Sequence, residues 1–188
     1  MTAARPASRR TADEIVDAIG AAAHRLFMAR GPAAVSLRDV AAEADVNLGL
    51  IHRYVGSKDE VVALVLDRHG MRAAAALDGK TTLVELLDWL AAGHRHRSGR
   101  LFAGIILDDI DALSLKREFP IAKALVAALE RDAPWCDPVS TAALLQSLVL
   151  GWEVFSSYLI GATGARSVRD PETLLREALQ AIVDCDRP

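Results

Sequence analysis

The sequence predicts an all-α protein, with three helices in a small N-terminal domain and a larger helical domain after it. Alanine and leucine dominate, whereas only 12 of the 188 residues are glycine and 7 are proline, a composition that favours helix. Apolar residues recur at spacings of three and four along most of the chain, which is the period of a helix with one buried face. No run of residues alternates as a half-buried strand does, and no internal repeat is present.

The first helix is expected from about residue 12 to residue 30. A capping pattern begins at Thr11 and reaches Glu14, three positions later. Gly31 and Pro32 then end the helix. The residues at helical spacing on its buried face are Ile15, Ile19, Ala22, Leu26 and Phe27.

Residues 36–62 predict two short helices joined by a tight turn. Ser36 begins the first of them with a capping pattern that reaches Asp39. Its apolar face consists of Val40, Ala41 and Ala44. Asp45 lies at the turn, where the backbone often needs a positive φ that aspartate tolerates better than most residues. Two helices joined in this way can place the second of them in the major groove of DNA.

The second helix has both ends marked in the sequence. Asn47 is a good N-cap, and Val46 and Ile51 have the spacing of a hydrophobic staple. Ser57 and Glu60 form another capping pattern, so the next helix begins directly afterwards.

The outer face of this second helix is mixed, which suits a helix that reads DNA. Arg53 can bind guanine with two hydrogen bonds, and Leu48 or Leu50 can contact a thymine methyl group. Gly49 lets the backbone come close to the groove. An ordinary helical hairpin that never touches DNA has the same spacing, so the pattern alone leaves both interpretations open.

Basic residues flank the helical pair, although the net charge of −3 gives the chain no overall basic character. Lys58 lies at the start of a helix, where its ammonium group suits a phosphate. Residues 1–10 carry Arg5, Arg9 and Arg10 and no acid, so they form an arm that can lie along phosphates or in the minor groove. A disordered, solubilising tail is an equally good interpretation of the arm.

Residues 11–65 resemble the DNA-binding domain of the TetR (tetracycline repressor) family of bacterial regulators. The matching segments are AAHRLF at 22–27 with Gly31, SLRDVA at 36–41, VNLGLIHRYV at 46–55 and SKDE at 57–60. The resemblance implies a repressor that releases its operator when a small molecule binds in the C-terminal domain. The predicted DNA-binding residues within the matching region are Ser36, Asn47, Leu48, Gly49, Leu50, His52, Arg53, Tyr54 and Lys58. The charge of the arm adds Arg9 and Arg10 to this prediction.

Three positions depart from the family pattern. Asp45 stands where the turn usually has glycine, His52 where tyrosine is common, and Val55 where phenylalanine is common. The fold tolerates all three, but His52 next to Arg53 leaves the base preference open.

The rest of the chain resembles that family only in length and helical character. Helices are expected at about 58–77, 82–96, 100–113, 120–131, 138–161 and 171–184. The domain organisation expected is therefore a flexible basic arm at 1–10, a helix-turn-helix DNA-binding domain at 11–57, and a helical effector-binding and dimerisation domain at 58–188.

The last two helices predict a homodimer. Two such helices from each subunit can form a four-helix bundle across a two-fold axis. The helix expected at 138–161 would contribute one stripe, Leu144, Ser147, Gly151, Val154 and Tyr158. The final helix would contribute Leu175, Leu179 and Ile182. A monomer whose core absorbs these residues is the alternative. The family resemblance favours the dimer, and with it a palindromic operator in double-stranded DNA.

A pocket for a small apolar effector is expected between helices of the second domain. The residues expected to line it are Trp89, Phe102, Ile106, Asp109, Phe119, Leu148, Trp152 and Phe155. A polar group of the effector would meet Asp109, Gln146 or Glu153. Each aromatic residue can instead be ordinary core.

Other kinds of function have weaker support. His94 and His96, with the acids at 108, 109 and 111, could belong to a metal site or a small helical enzyme, but a solvated helix end explains them better. An effector-independent DNA-binding module is a further alternative. No catalytic set or phosphate loop is present, so we expect neither an enzyme nor a cofactor.

The cellular setting expected is the cytoplasm. Cys136 and Cys185 have no metal-type spacing and suit free thiols, and the N-terminus has no signal peptide pattern. Residues 142–162 are long enough to span a membrane, but Gln146, Glu153 and several serines make a buried helix the better explanation.

Overall fold

Within the residues described, the secondary structure is wholly helical, which confirms the all-α fold class. The structure is a computed structural model that describes residues 10–78, 82–92, 98–115, 118–164, 170–185 and 187–188. In those ranges the helices are α1 (Ala12–Arg30), α2 (Leu37–Ala44), α3 (Leu48–Tyr54), α4 (Lys58–Leu77), α5 (Leu83–Ala92), α6 (Ser98–Leu107), α7 (Ala112–Leu115), α8 (Pro120–Asp132), α9 (Pro138–Ala162) and α10 (Pro171–Asp184).

The helices begin where the capping patterns predict. Thr11, Ser36 and Ser57 each form a reciprocal capping box with the acid three residues later. At α3 the Asn47 Oδ1 atom accepts a hydrogen bond of 2.9 Å from the backbone N–H of Leu50. These contacts satisfy backbone N–H groups that have no partner inside their own helix.

Two backbone positions in the N-terminal region need special conformations. Asp45 has a φ of 53° and a ψ of 51°, so the turn between α2 and α3 is left-handed, as the sequence predicts. Gly56 has a φ of 116°, and a Cβ atom there would collide with the carboxylate of Glu60. Glycine at 56 therefore permits the sharp entry into the α4 cap.

The helix expected over about 100–113 is wrong in its extent, because the chain breaks after Leu107. Asp109 adopts a φ of 54°, which ends α6. The Oδ1 atom of Asp111 then accepts hydrogen bonds of 3.2 Å from the N–H groups of Leu113 and Ser114, which starts α7. The helix expected to reach residue 96 is described only as far as Ala92.

Two clusters of buried side chains hold the helices together, and α4 contributes to both. The first joins α1–α4 and includes Leu101 and Ile105 from α6. The second lies between α5, α8, α9, α10 and the end of α4, where Leu77 is buried. The helix α4 therefore passes from the first cluster to the second partway along its length and not at its start. The domain boundary between residues 57 and 58 stays a prediction.

Candidate nucleic-acid interface and ligand cavity

The helix α3 is anchored by one face and exposed on the other. Ile51 is completely buried in the first cluster, and Leu48, Leu50 and Tyr54 are half-buried against it. Gly49, His52 and Arg53 are exposed. Leu48 and Leu50 thus serve partly as core residues, which limits how much of each can reach a thymine methyl group.

Arg53 lies beside an aromatic ring that holds its side chain. Its guanidinium carbon is 5.3 Å from the centroid of the Tyr54 ring, within the range of a cation–π contact. Such a contact uses the flat face of the guanidinium and leaves its N–H groups directed outward from the edge. That arrangement suits two parallel hydrogen bonds to the O6 and N7 atoms of a guanine.

Other residues predicted to bind DNA already have partners within the chain. The Ser36 hydroxyl donates a hydrogen bond of 2.6 Å to Asp39 Oδ2. Arg10 donates to the Ala44 and Asp45 carbonyl oxygens at 3.1 and 3.3 Å, so it stabilises the end of α2. Asn47 uses its oxygen in the α3 cap, which leaves the amide NH2 for DNA. Arg9 lies outside the described residues.

Lys58 belongs to a link between the helices predicted to bind DNA and the segment directly after α6. Its ammonium group donates to the carbonyl oxygen of Ala33 at 3.3 Å, and the N–H of the same Ala33 donates to Asp108 Oδ2 at 2.6 Å. The peptide groups of the α1–α2 loop are thereby held on both sides. A Cβ added at Gly104 would lie 3.1 Å from the Pro32 ring, so α6 also packs closely on this loop.

A cavity of about 360 Å³ lies between α4, α5, α6, α8 and α9, with His24 of α1 at one side. Three of the residues predicted for an effector pocket, Trp89, Phe102 and Phe119, line it. Gln146 and Glu153 supply polar groups from α9. The size and mostly apolar lining are those of a site for a small molecule.

Five residues predicted for the pocket lie elsewhere, and the prediction is wrong for them. They are Ile106, Asp109, Leu148, Trp152 and Phe155. On α9 the lining stripe is Gln146, Val149, Leu150 and Glu153. A one-residue error in the helical phase, about 100°, turns Leu148 and Trp152 towards the second core cluster instead. Ile106 and Phe155 are 63 % and 56 % exposed, and Asp109 lies in the break after α6.

Three basic residues at the edge of the cavity were not predicted from the sequence. They are His24 of α1 and His69 and Arg72 of α4. They also line a smaller adjoining cleft of about 200 Å³, to which Arg25 and Arg68 contribute. The spacing of His69, Arg72, Ala73 and Ala76 on one face of α4 is the signal that could have revealed His69 and Arg72.

Burial and nearby positive charge act together on His24. Desolvation is the larger cause and lowers the pKa of its imidazole, and the guanidinium groups of Arg72, Arg68 and Arg25 lower it further. On α4 the His69 ring meets Phe102 edge to face, with centroids 5.5 Å apart, which joins the cavity walls formed by α4 and α6.

The outer face of α9 is apolar and exposed. Leu144 and Tyr158 are 58 % and 74 % exposed, and no atom lies within 4 Å of a Cβ added at Gly151. Ser147 is exposed and Val154 half-buried. By length and composition α9 could also cross a membrane, but this is weak evidence because core helices of soluble proteins meet the same criteria.

On α10 two of the three predicted interface residues are buried inside the single chain. Leu175 and Leu179 are 1 % and 0 % exposed, so they belong to the core of the single chain and the prediction of an interface role for them is wrong. Ile182 is half-buried, and Leu174 at 40 % exposed offers the outward apolar surface instead. The error comes from the helical phase, because all three predicted residues pack in or against the second core cluster.

The proposed metal ligands His94 and His96 lie outside the described residues. In the part of the chain that the structure describes, no group of three or more His, Cys, Asp or Glu side chains could hold a metal ion. Cys136 is half-buried and Cys185 exposed, and both are free thiols.

Comparison with known proteins places these features in a family. Residues 19–65 match the family of bacterial regulatory proteins described as the tetR family. The HTH-type transcriptional repressor Rv3405c of Mycobacterium tuberculosis is 35 % identical over 165 residues, which cover 87 % of this chain and 85 % of that protein.

Solved structures share the fold. A linker-substituted mutant of the protein HlyIIR has a TM-score of 0.63 at 18 % identity, covering 90 % of this chain and 97 % of the other. NalD, described as the secondary repressor of the MexAB-OprM multidrug efflux pump in Pseudomonas aeruginosa, has a TM-score of 0.58 at 17 % identity, covering 92 % and 96 %.

Proposed function

Because the chain belongs to the tetR family of bacterial regulatory proteins, and is thus a DNA-binding regulator of transcription, we propose that it acts as a homodimeric repressor. In this proposal α3 of each subunit reads one half of a palindromic operator. A small, largely apolar effector then binds in the cavity and releases the DNA. Such a repressor works in the cytoplasm, where bacterial DNA lies.

The observation that carries the DNA-reading role is the two-sided character of α3. Ile51 fixes the helix to its domain while His52 and Arg53 face outward in the last turn. Exposed donors on a rigidly anchored helix are what base reading requires. Lys58 and the exposed backbone groups near the α2–α3 turn would position the domain on phosphates.

The exposed apolar face of α9 supports the homodimer. Its large side chains, among them Leu144, Phe155 and Tyr158, would be costly to leave in water on a monomer of this size. A two-fold contact between two copies covers the same patch on both subunits. It would also set the distance between the two α3 helices, which in such dimers corresponds to about one turn of DNA, roughly 34–36 Å.

The walls of the cavity support effector control. Both α4 and α6 line it, through His69 and Phe102 among others. Lys58 of α4 and Asp108, directly after α6, also contact the α1–α2 loop at Ala33. A molecule that fills the cavity therefore touches the helices that hold the DNA-binding unit. It would release DNA only if it binds the DNA-incompetent arrangement more tightly than the other.

A footprint of the DNA upstream of the protein's own coding region tests the proposal. We expect protection of two related half-sites, and loss of that protection when a small apolar molecule that binds the cavity is added. Binding of such molecules can be followed through Trp89, whose indole lines the cavity. A footprint that stays unchanged at saturating cavity ligand would overturn effector control and leave DNA binding intact.

A further inference from the structure

The cavity is apolar along most of its wall but basic at one side. His24, His69 and Arg72 lie together there, contributed by α1 and α4. Glu153 is the single carboxylate among the lining residues, and it accepts a hydrogen bond from the backbone N–H of Gly99 at the start of α6. The charge offered to a ligand is therefore positive at the α1–α4 side.

We propose that the effector is an apolar carboxylate, whose head group binds at His24, His69 and Arg72 while its hydrocarbon part fills the cavity. This inference rests on the proposed effector role and names the chemical class of the effector. An arginine fork and imidazole N–H groups are the donors that suit a carboxylate.

Acids pair with two guanidinium groups next to the basic cluster, whereas Arg72 of the cluster has no acidic partner among the described residues. Arg25 pairs with Glu43 at 2.9 Å and Arg68 pairs with Asp17. No ion pair found among the described residues involves Arg72.

Burial lowers the pKa of His24 first, and the guanidinium groups of Arg72, Arg68 and Arg25 lower it further, as a positive potential at this side of the cavity would. A bound carboxylate would relieve the repulsion among these like charges and would be attracted by them together.

The position of the head group would link the ligand directly to the DNA-binding unit. His24 belongs to α1, which packs against α2 and α3, whereas Arg72 belongs to the second half of α4. One carboxylate bound to both would connect α1 to α4 at the edge of the cavity. A neutral ligand in the same cavity would lack this connection.

Two other ligand classes are alternatives with distinct outcomes. A lipophilic cation would be drawn to Glu153, and a neutral apolar molecule would be indifferent to the basic cluster. Three probes of equal chain length separate these classes: octanoate, octanamide and octylamine.

The experiment measures the affinity of the full-length protein for each probe by isothermal titration calorimetry at neutral pH. We expect octanoate to bind roughly tenfold or more tightly than octanamide, and octylamine to bind most weakly. In the variant Arg72→Gln the preference for octanoate should disappear while octanamide binds as before. Arg100→Gln, at an exposed position on α6 away from the cavity lining, should leave all three affinities unchanged.

Several results would overturn the inference. The inference fails if octanoate and octanamide bind with equal affinity, or if octylamine binds more tightly than octanoate. It also fails if Arg72→Gln keeps the preference for octanoate, or if no probe binds. Arg72 is exposed, so its variant should fold, and circular dichroism checks this.

The DNA readout separates this inference from the effector role. Octanoate that binds with the expected preference but leaves the footprint intact refutes effector control and keeps the ligand class. Release of DNA by octanamide as efficiently as by octanoate refutes the ligand class and keeps effector control.

Discussion

Removing the carboxylate of Asp108 should loosen the loop that joins the first two helices of the DNA-binding unit. Its Oδ2 atom accepts a hydrogen bond of 2.6 Å from the Ala33 N–H, across 75 residues of sequence. No other acceptor for this N–H is present among the described residues. The variant Asp108→Ala therefore leaves the amide to water.

The size of the effect follows from the chemistry of the bond. A hydrogen bond to a charged group contributes about 1.5–3 kcal/mol, and the exposure of this one places it near or below the lower limit, at about 1–1.5 kcal/mol. Since 1.4 kcal/mol is a factor of ten in an equilibrium constant, the Ala33 amide should exchange with solvent about five to twelve times faster in the variant. Asp108→Asn, which keeps a neutral acceptor, should show a smaller increase.

Hydrogen exchange at Ala33, followed by nuclear magnetic resonance, is the assay. The matched control is Asp109→Asn, because Asp109 lies next to the contact, forms no such bond and has a left-handed backbone that asparagine tolerates. The reasoning is refuted if exchange at Ala33 is unchanged in Asp108→Ala, or if the control accelerates it equally.

Three further predictions concern DNA reading, assembly and helix capping. Arg53→Ala should weaken binding to the cognate operator by roughly 1–3 kcal/mol and relax preference at one base position, measured by gel shift on single-base operator variants with Arg100→Ala as control. Gly151→Leu should disrupt the dimer while the single chain has room for the side chain, so a dimer of undiminished mass by light scattering would contradict the interface. Hydrogen bonds from the Ser57 backbone and hydroxyl lower the pKa of Glu60 in the folded protein below its ordinary 4.5. These bonds therefore stabilise the fold fully above about pH 4.5, and the stabilisation is lost as the pH falls through the pKa of Glu60 in the folded protein. The unfolding temperatures of the protein and of Ser57→Ala should differ less at pH 3 than at pH 6. The same difference at both pH values would argue against the capping box.

The helix boundaries could be predicted well because local chemistry sets them. Capping boxes at Ser36 and Ser57, the asparagine cap at Asn47 and the left-handed Asp45 act within a few residues of themselves. The helix α3 has both of its faces encoded within seven residues, so its exposed Arg53 could also be expected.

The ligand cavity could be predicted only in part because its lining depends on helical phase and on distant helices. Trp89, Phe102 and Phe119 were found because large aromatic residues are conspicuous. The α9 stripe was misplaced because α9 is apolar on several sides, so its sequence does not reveal which side meets the cavity. His24 was assigned to the DNA-binding domain alone, and only the packing of α1 on α4 brings it to the cavity.

Selection of DNA from a random double-stranded library by the purified full-length protein tests the central claim, sequence-specific reading by α3 in a dimer, most directly. We predict enrichment of a palindrome whose half-site centres are one helical turn, or a whole number of turns, apart. Arg53→Ala should lose enrichment at one symmetric pair of positions. Recovery of no enriched sequence, or of the same unrelaxed sequence by Arg53→Ala, would contradict the account.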